Sequence, residues 1–150
     1  MKPKVLIILG PTASGKSALA VKLAKRLSGE IISADSRQVY RGLDIGSGKI
    51  TKAEMKGVPH HLLDIVSPQK SFSVARYQKL ANQKIKEILK RGKLPIICGG
   101  TGFYIQAIVD GITFPKVAPN NELRRQLAGK SPTELFKILE KLDPARSRNI

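Results

Sequence analysis

The chain is short of the residues that staple or metallate a fold, with one cysteine, Cys98, and two histidines, His60 and His61, in 150 residues. A single thiol excludes an internal disulfide and a cysteine metal cluster, and it suits a reducing compartment. His60 and His61 follow Pro59 with no third histidine to complete a site, so they read as structural or turn residues and not as metal ligands. Long apolar runs are missing too. Val5 to Leu9 is far short of the ~20 residues that cross a bilayer. Met1-Lys2-Pro3-Lys4 enters that run without the apolar core and cleavage site of a secretory signal. The expectation is a cytoplasmic protein with no membrane partner.

Acidic residues are the third shortage. There are 11 Asp+Glu against 27 Lys+Arg, a net charge of +16, and the excess runs through both the part before Lys116 and the part after it. A diffuse excess of this size suits a polyanionic partner, most often nucleic acid, with solvated lysine faces as the plain alternative. With 41% hydrophobic and 25% charged residues, the composition is that of a globular protein, and the length allows one domain plus the start of another.

Short apolar runs recur at Val5-Leu9, Glu30-Ala34, His61-Val66 and Leu94-Cys98, bounded by turn or polar residues, as buried parallel strands are. Between the first two, Leu19, Leu23 and Leu27 recur every fourth residue and stop at Ser28-Gly29, which predicts a helix from Ser17 to Leu27. Ser73 to Lys90 carries a second helical face, and Thr101 to Asp110 predicts a third helix. Alternating strands and helices imply an α/β fold, a parallel sheet with helices on both faces and ligands at the strands' carboxyl ends. Those ends are Gly10, Asp35 and Gly99-Thr101. From Thr113 the texture changes. Glu122 to Leu127 and Ser131 to Leu142 read as helices, the second opening with the capping-box pattern Ser131-x-x-Glu134, and Asp143-Pro144 begins another helical signal. The division is a core over 1–115 and a helical segment over 116–150, cut short at Ile150.

Gly10-Pro11-Thr12-Ala13-Ser14-Gly15-Lys16-Ser17 satisfies G-x-x-x-x-G-K-[ST] between a strand and a helix. Its N–H groups would cradle phosphates, Lys16 would bridge the distal ones and Ser17 would hold magnesium. A second glycine cluster, Gly42 to Lys49, has the wrong spacing and no preceding strand, and reads as a substrate-facing loop or a plain turn. Nucleotide hydrolases with a phosphate loop usually add an acid at the end of an apolar strand. Leu94-Pro-Ile-Ile-Cys-Gly-Gly-Thr101 has none. Asp35 is the carboxylate best placed at the ligand edge, either as a proton acceptor or as the cap of its own turn.

GPTASGKS, ISADSRQVYRGLDIGSGK, VPHHLLDI and ICGGTGFYIQAI, in that order from Gly10 to about Ile108, resemble the tRNA dimethylallyltransferase family, and LDPARSRNI continues the likeness more loosely. The resemblance implies a phosphate-loop α/β core with the start of a helical tRNA-binding insertion. It also implies dimethylallyl diphosphate as donor, magnesium as cofactor, tRNA as acceptor and a monomer at full length. Asp35 would take the proton from the exocyclic amine of the adenosine 3′ of the anticodon. Ser36, Arg37 and Gln38 would meet the tRNA, Thr101 would lie near the reacting centre, and Arg124 would face the tRNA. Where the family usually has threonine, a small residue and Lys-Pro, this chain has Ser47-Gly48-Lys49-Ile50. Family members are about twice as long, so a truncated chain is expected. The competing readings are an adenylate isopentenyltransferase, a small-molecule kinase and a non-catalytic RNA-binding fragment. Cys98 is expected to be a small buried residue, Phe103 and Tyr104 core and pocket wall, and, apart from the resemblance, Arg124 and Arg125 part of a solvated helix face.

Overall fold

The computed structural model describes residues 4–115 and 117–150. Met1, Lys2, Pro3 and Lys116, on which the leader reading and the start of the second segment fall, lie outside the described residues. The chain divides into two compact units, Met1–Phe114 and Pro115–Ile150.

In the first unit, β1 (Leu6–Leu9), α1 (Lys16–Leu27), β2 (Gly29–Ser33), α2 (Lys52–Met55), β3 (His60–His61), α3 (Val74–Lys90), β4 (Leu94–Gly99) and α4 (Gly102–Val109) follow one another. The strands form one parallel sheet in the order β1-β4-β2-β3. Alternation along the strands sends side chains to two cores. Ile31, Ile96 and Cys98 pack with Ala20, Val21 and Ala24 of α1. Ile32 and Ile97 pack with Tyr77, Ala81, Ile85 and Ile88 of α3 and with Tyr104 and Ile105 of α4. Helices therefore cover both faces, as the alternating pattern requires. Leu9 pairs with Gly99 and Ser33 with Cys98, so three strands end level at one edge. No described helix is long and apolar enough to cross a membrane.

The structure departs from or adds to the sequence pattern in three places. The leucine stripe of α1 is not its buried face, because Leu19 and Leu27 are about half exposed while Ala20, Val21 and Ala24 are buried. Small side chains let the helix lie close on the sheet, and the leucines flank the contact. The strand expected over His61–Val66 is only His60–His61. Leu62 and Asp64 adopt positive φ of 62° and 56°, which no strand accommodates, and Val66 rejoins only as an isolated bridge to Tyr40. Helix α2 was not expected. Its capping box, Thr51 with Glu54, is the signal that marks it.

In the second unit, α5 (Asn121–Ala128), α6 (Pro132–Leu142) and α7 (Pro144–Ser147) are capped by Asn120, Ser131 and Asp143. Ser131 and Glu134 close the expected capping box. Leu135, Ile138 and Leu139 are half-buried, and Leu142 is exposed.

The buried carboxylate of Glu30 ties the start of β2 to its surroundings. It accepts from Arg91 Nη2 at 2.7 Å and Nε at 3.2 Å, and meets His61 Nε2 at 2.7 Å. Hydrogen bonds from Arg91 hold its pKa below the usual 4.5, burial opposes them, and His61 adds to the lowering. A depressed carboxylate pKa contributes stability that is complete above the unfolded value and disappears as pH falls through the folded one. Glu30→Gln should therefore cost about 1–2 kcal/mol at neutral pH, moderated by the half-exposed Arg91. In urea titrations the gap from the parent should narrow as pH falls below 4.5, and a gap that stays constant down to about pH 3 would contradict the assignment.

Candidate functional site

The edge where the strands end is closed by backbone bonds. Gly10 N donates to Gly99 O at 3.4 Å, Ala34 N to Cys98 O at 2.8 Å and Thr101 N to Ala34 O at 3.0 Å. The approach is so close that a Cβ on Gly99 would lie 2.1 Å from Ala34 O. Gly99 is required here by contact and not by an unusual φ.

The loop from Gly10 to Gly15 leaves β1 and turns through positive φ at Ala13 (62°) and Gly15 (80°). Such turns aim successive N–H groups into one concavity. Gly15, at the N-cap of α1, offers no side-chain cap, and no acid stands in the first turn. The opening N–H groups of α1 thus have no side-chain cap, an arrangement of the kind that favours an anion. Lys16 starts the helix, with Nζ on Pro11 O at 2.8 Å. Ser17 follows and lines an open groove of about 820 Å³ with Val21, Gly48 and Ile50. Cys98 lies behind this turn, its Sγ 3.7 Å from Lys16 O, and burial pushes its thiol up to about 11. It is protonated at neutral pH and belongs to the core, as expected.

Asp35 stands just past β2. Its Oδ1 accepts from Arg37 N at 2.8 Å and Gln38 N at 3.3 Å. The capping reading is therefore what Oδ1 does, while Oδ2 has no hydrogen-bond partner among the described residues. Thr101 completes the turn from β4, its Oγ1 accepting from Ser36 N at 2.9 Å. Asp35, Ser36, Gln38 and Thr101 are thus brought together beside the Gly10–Ser17 loop, and Arg37 is exposed next to them. Arg124 is an exposed residue of α5 in the second unit, and Arg125 is exposed beside it.

Three features escaped the sequence reading. Gln38, expected to face tRNA, donates through Nε2 to Ser47 O and Gly48 O, both at 3.3 Å, and so holds the second glycine loop. Lys49 is the other anchor, donating to Asp44 Oδ1 at 2.6 Å, Asp64 Oδ1 at 2.5 Å and Tyr40 O at 3.0 Å. Burial disfavours its charge, but the two aspartates outweigh that and raise its pKa. The lysine of the false phosphate loop was the available signal. Phe103 is 54% exposed, edge-on to Phe114, where the sequence reading put it in the core; Tyr104 is buried and stacks on Tyr77 at 4.1 Å.

Among the described residues no three His, Cys, Asp or Glu side chains could jointly hold a metal. The available donor is the Ser17 hydroxyl. That fits magnesium held mainly by phosphate oxygens and water, and does not fit a protein-built cage.

A family model described as IPP transferase matches residues 38–150. The chain belongs to the IPP transferase family. It is 54% identical over its whole length to a relative from Anoxybacillus flavithermus named tRNA dimethylallyltransferase, covering 48% of that protein. A relative of the same name from Caldanaerobacter subterraneus is 49% identical, again over all of this chain and 49% of its own length. The chain thus spans about half the length of the curated relatives it matches. Among solved structures, the full-length tRNA isopentenylpyrophosphate transferase of Bacillus halodurans superposes with a TM-score of 0.76 at 47% identity, over 99% of this chain and 50% of that one. A eukaryotic dimethylallyltransferase solved acting on tRNA gives 0.87 at 31% identity, over 99% and 38%. These neighbours share the α/β fold of this chain.

In this IPP transferase core, Gly99→Ala should force Ala34 aside and lower stability by about 1–3 kcal/mol or more, the cost of overpacking. Gly102→Ala, in α4 with open space at its Cβ, should be neutral or stabilising by up to about 1 kcal/mol. Equal effects in chemical denaturation would contradict the close-approach account.

Proposed function

We propose that this chain carries the donor loop and the acceptor edge of a tRNA dimethylallyltransferase that works in the cytoplasm. The observation that carries the reading is the meeting of the Asp35 turn and the Gly10–Ser17 loop at one sheet edge, the turn tied to β4 through Thr101 and the loop through Gly99. The names of the relatives support the same reaction class.

Dimethylallyl diphosphate would set its phosphates against the N–H groups of residues 13–17, with Lys16 on the distal oxygens. The adenosine 3′ of the anticodon would leave its stack and present its exocyclic amine between the allylic carbon and Asp35. The amine nitrogen forms a bond to the allylic carbon, and the carbon–oxygen bond to the diphosphate breaks. The surplus amine proton passes to Oδ2 of Asp35, while Oδ1 keeps the carboxylate aimed through its bonds to Arg37 and Gln38. Negative charge that grows on the leaving diphosphate is met by the loop N–H groups and the Lys16 ammonium. Magnesium, held through Ser17 and the diphosphate, would add further neutralisation of that charge. Thr101 fixes the Ser36 amide, so it positions the Asp35 turn. Ser36, Arg37 and Arg124 are assigned to tRNA contact, Gln38 serves it by holding the neighbouring glycine loop, and the +16 charge supplies sequence-independent attraction.

Asp35→Ala in the full chain should lower prenyl transfer by about 10²–10⁴-fold, the range of general-base catalysis, with affinity for dimethylallyl diphosphate nearly unchanged. Transfer at the parent rate would refute the role of Asp35. With labelled ATP and labelled dimethylallyl diphosphate supplied together, only the prenyl label should reach tRNA. Movement of the γ-phosphate would favour a kinase.

A further inference from the structure

The second glycine loop is more than a surface turn, because bonds from three directions fix it. Gly42 and Gly48, at φ 74° and 56°, bound it. Gln38 holds Ser47 and Gly48 from the Asp35 side. Lys49, its side chain only 6% exposed, ties Asp44 to Asp64 and to the Tyr40 carbonyl. Within the loop, Ser47 Oγ donates to Leu43 O, Gly48 N to Ile45 O and Lys49 N to Asp44 O. What this scaffold presents is Ile45, which is 100% exposed. A loop fixed so thoroughly, with a large apolar side chain held in water at its tip, contributes nothing through that side chain to either core.

The surroundings indicate what it meets. One end of the loop adjoins the Asp35 turn through Gln38, and Gly48 lines the groove shared with Ser17. The flanking exposed side chains Arg37, Arg41 and Lys52 are cationic, and the carboxylate at the tip, Asp44, is paired with Lys49. The target adenosine must unstack to reach Asp35, and proteins that unstack bases insert apolar wedges between them. We propose that Ile45 is such a wedge, packing against the anticodon-loop base next to the extruded adenosine and filling the space it leaves. The wedge rests on the tRNA prenyl-transfer reading above.

The test uses the full chain and an anticodon stem–loop RNA with 2-aminopurine at the target position, whose fluorescence rises on unstacking. Parent protein should raise the fluorescence. Ile45→Ser should lose most of that rise while the free protein melts at the parent temperature, and Ile45→Phe should keep it. With unlabelled RNA, Ile45→Ser should lower kcat/KM for RNA about tenfold, in the range for losing one stacking platform, with KM for dimethylallyl diphosphate unchanged. An undiminished fluorescence rise in Ile45→Ser would overturn the wedge. So would a lower melting temperature of the free Ile45→Ser protein, which would show that Ile45 packs against protein. If the parent transfers the prenyl group but Ile45→Ser behaves like it, only the wedge fails; if the parent does not bind the RNA, the prenyl-transfer reading fails and the wedge with it.

Discussion

Between the ends of β2 and β4 there is no room for a side chain, and the rest of the site depends on that contact. The Ala34 carbonyl occupies the place where a Cβ of residue 99 would stand, and accepts from Thr101 N at 3.0 Å. Because Gly99 lets the strands close, Thr101 reaches the Ser36 amide and the Asp35 turn is set. Gly10 joins the same seam through Gly99, so the phosphate loop is referenced to the same backbone as the carboxylate. A displacement of one ångström at this seam would move donor and acceptor groups relative to each other, the kind of error that costs catalysis heavily.

Around that seam the chain distributes charge in a consistent way. The start of α1 has no cap and no acid, unlike α3, α5 and α6, whose N-caps accept from backbone N–H groups. The late strand ends in glycine and threonine where a hydrolase would carry a magnesium carboxylate. Asp35 instead stands just past β2, its Oδ1 accepting from Arg37 N and Gln38 N. This division suits a loop that receives a leaving diphosphate better than one that feeds phosphoryl transfer.

Legibility in the sequence followed sequence distance. The phosphate loop is eight contiguous residues between a strand and a helix, and the caps of α3 and α6 are local, so their patterns are readable directly. The sheet class followed from four apolar runs. The failures have nonlocal causes. Leu19, Leu23 and Leu27 have helical spacing, but which face is buried is decided by how closely α1 can approach the sheet, and that favours Ala20 and Ala24. The strand after His61 ends because Leu62 and Asp64 turn left-handed, which places the Asp64 carboxylate on Lys49. The bonds that build the site join residues 65 apart for Ser36 and Thr101, and the Glu30–Arg91 pair spans 61. No window along the chain contains them. Phe103 is apolar by composition but half exposed in the fold, its ring edge-on to Phe114.

The central claim is that the loop at residues 10–17 holds a diphosphate whose allylic carbon faces Asp35. The most direct measurement is a crystal structure of the full chain with an unreactive dimethylallyl diphosphate analogue and magnesium. The account predicts the diphosphate on the N–H groups of residues 13–17 and the allylic carbon directed to the space bounded by Asp35 and Thr101. A diphosphate bound elsewhere, or an allyl group pointing away from Asp35, would contradict it.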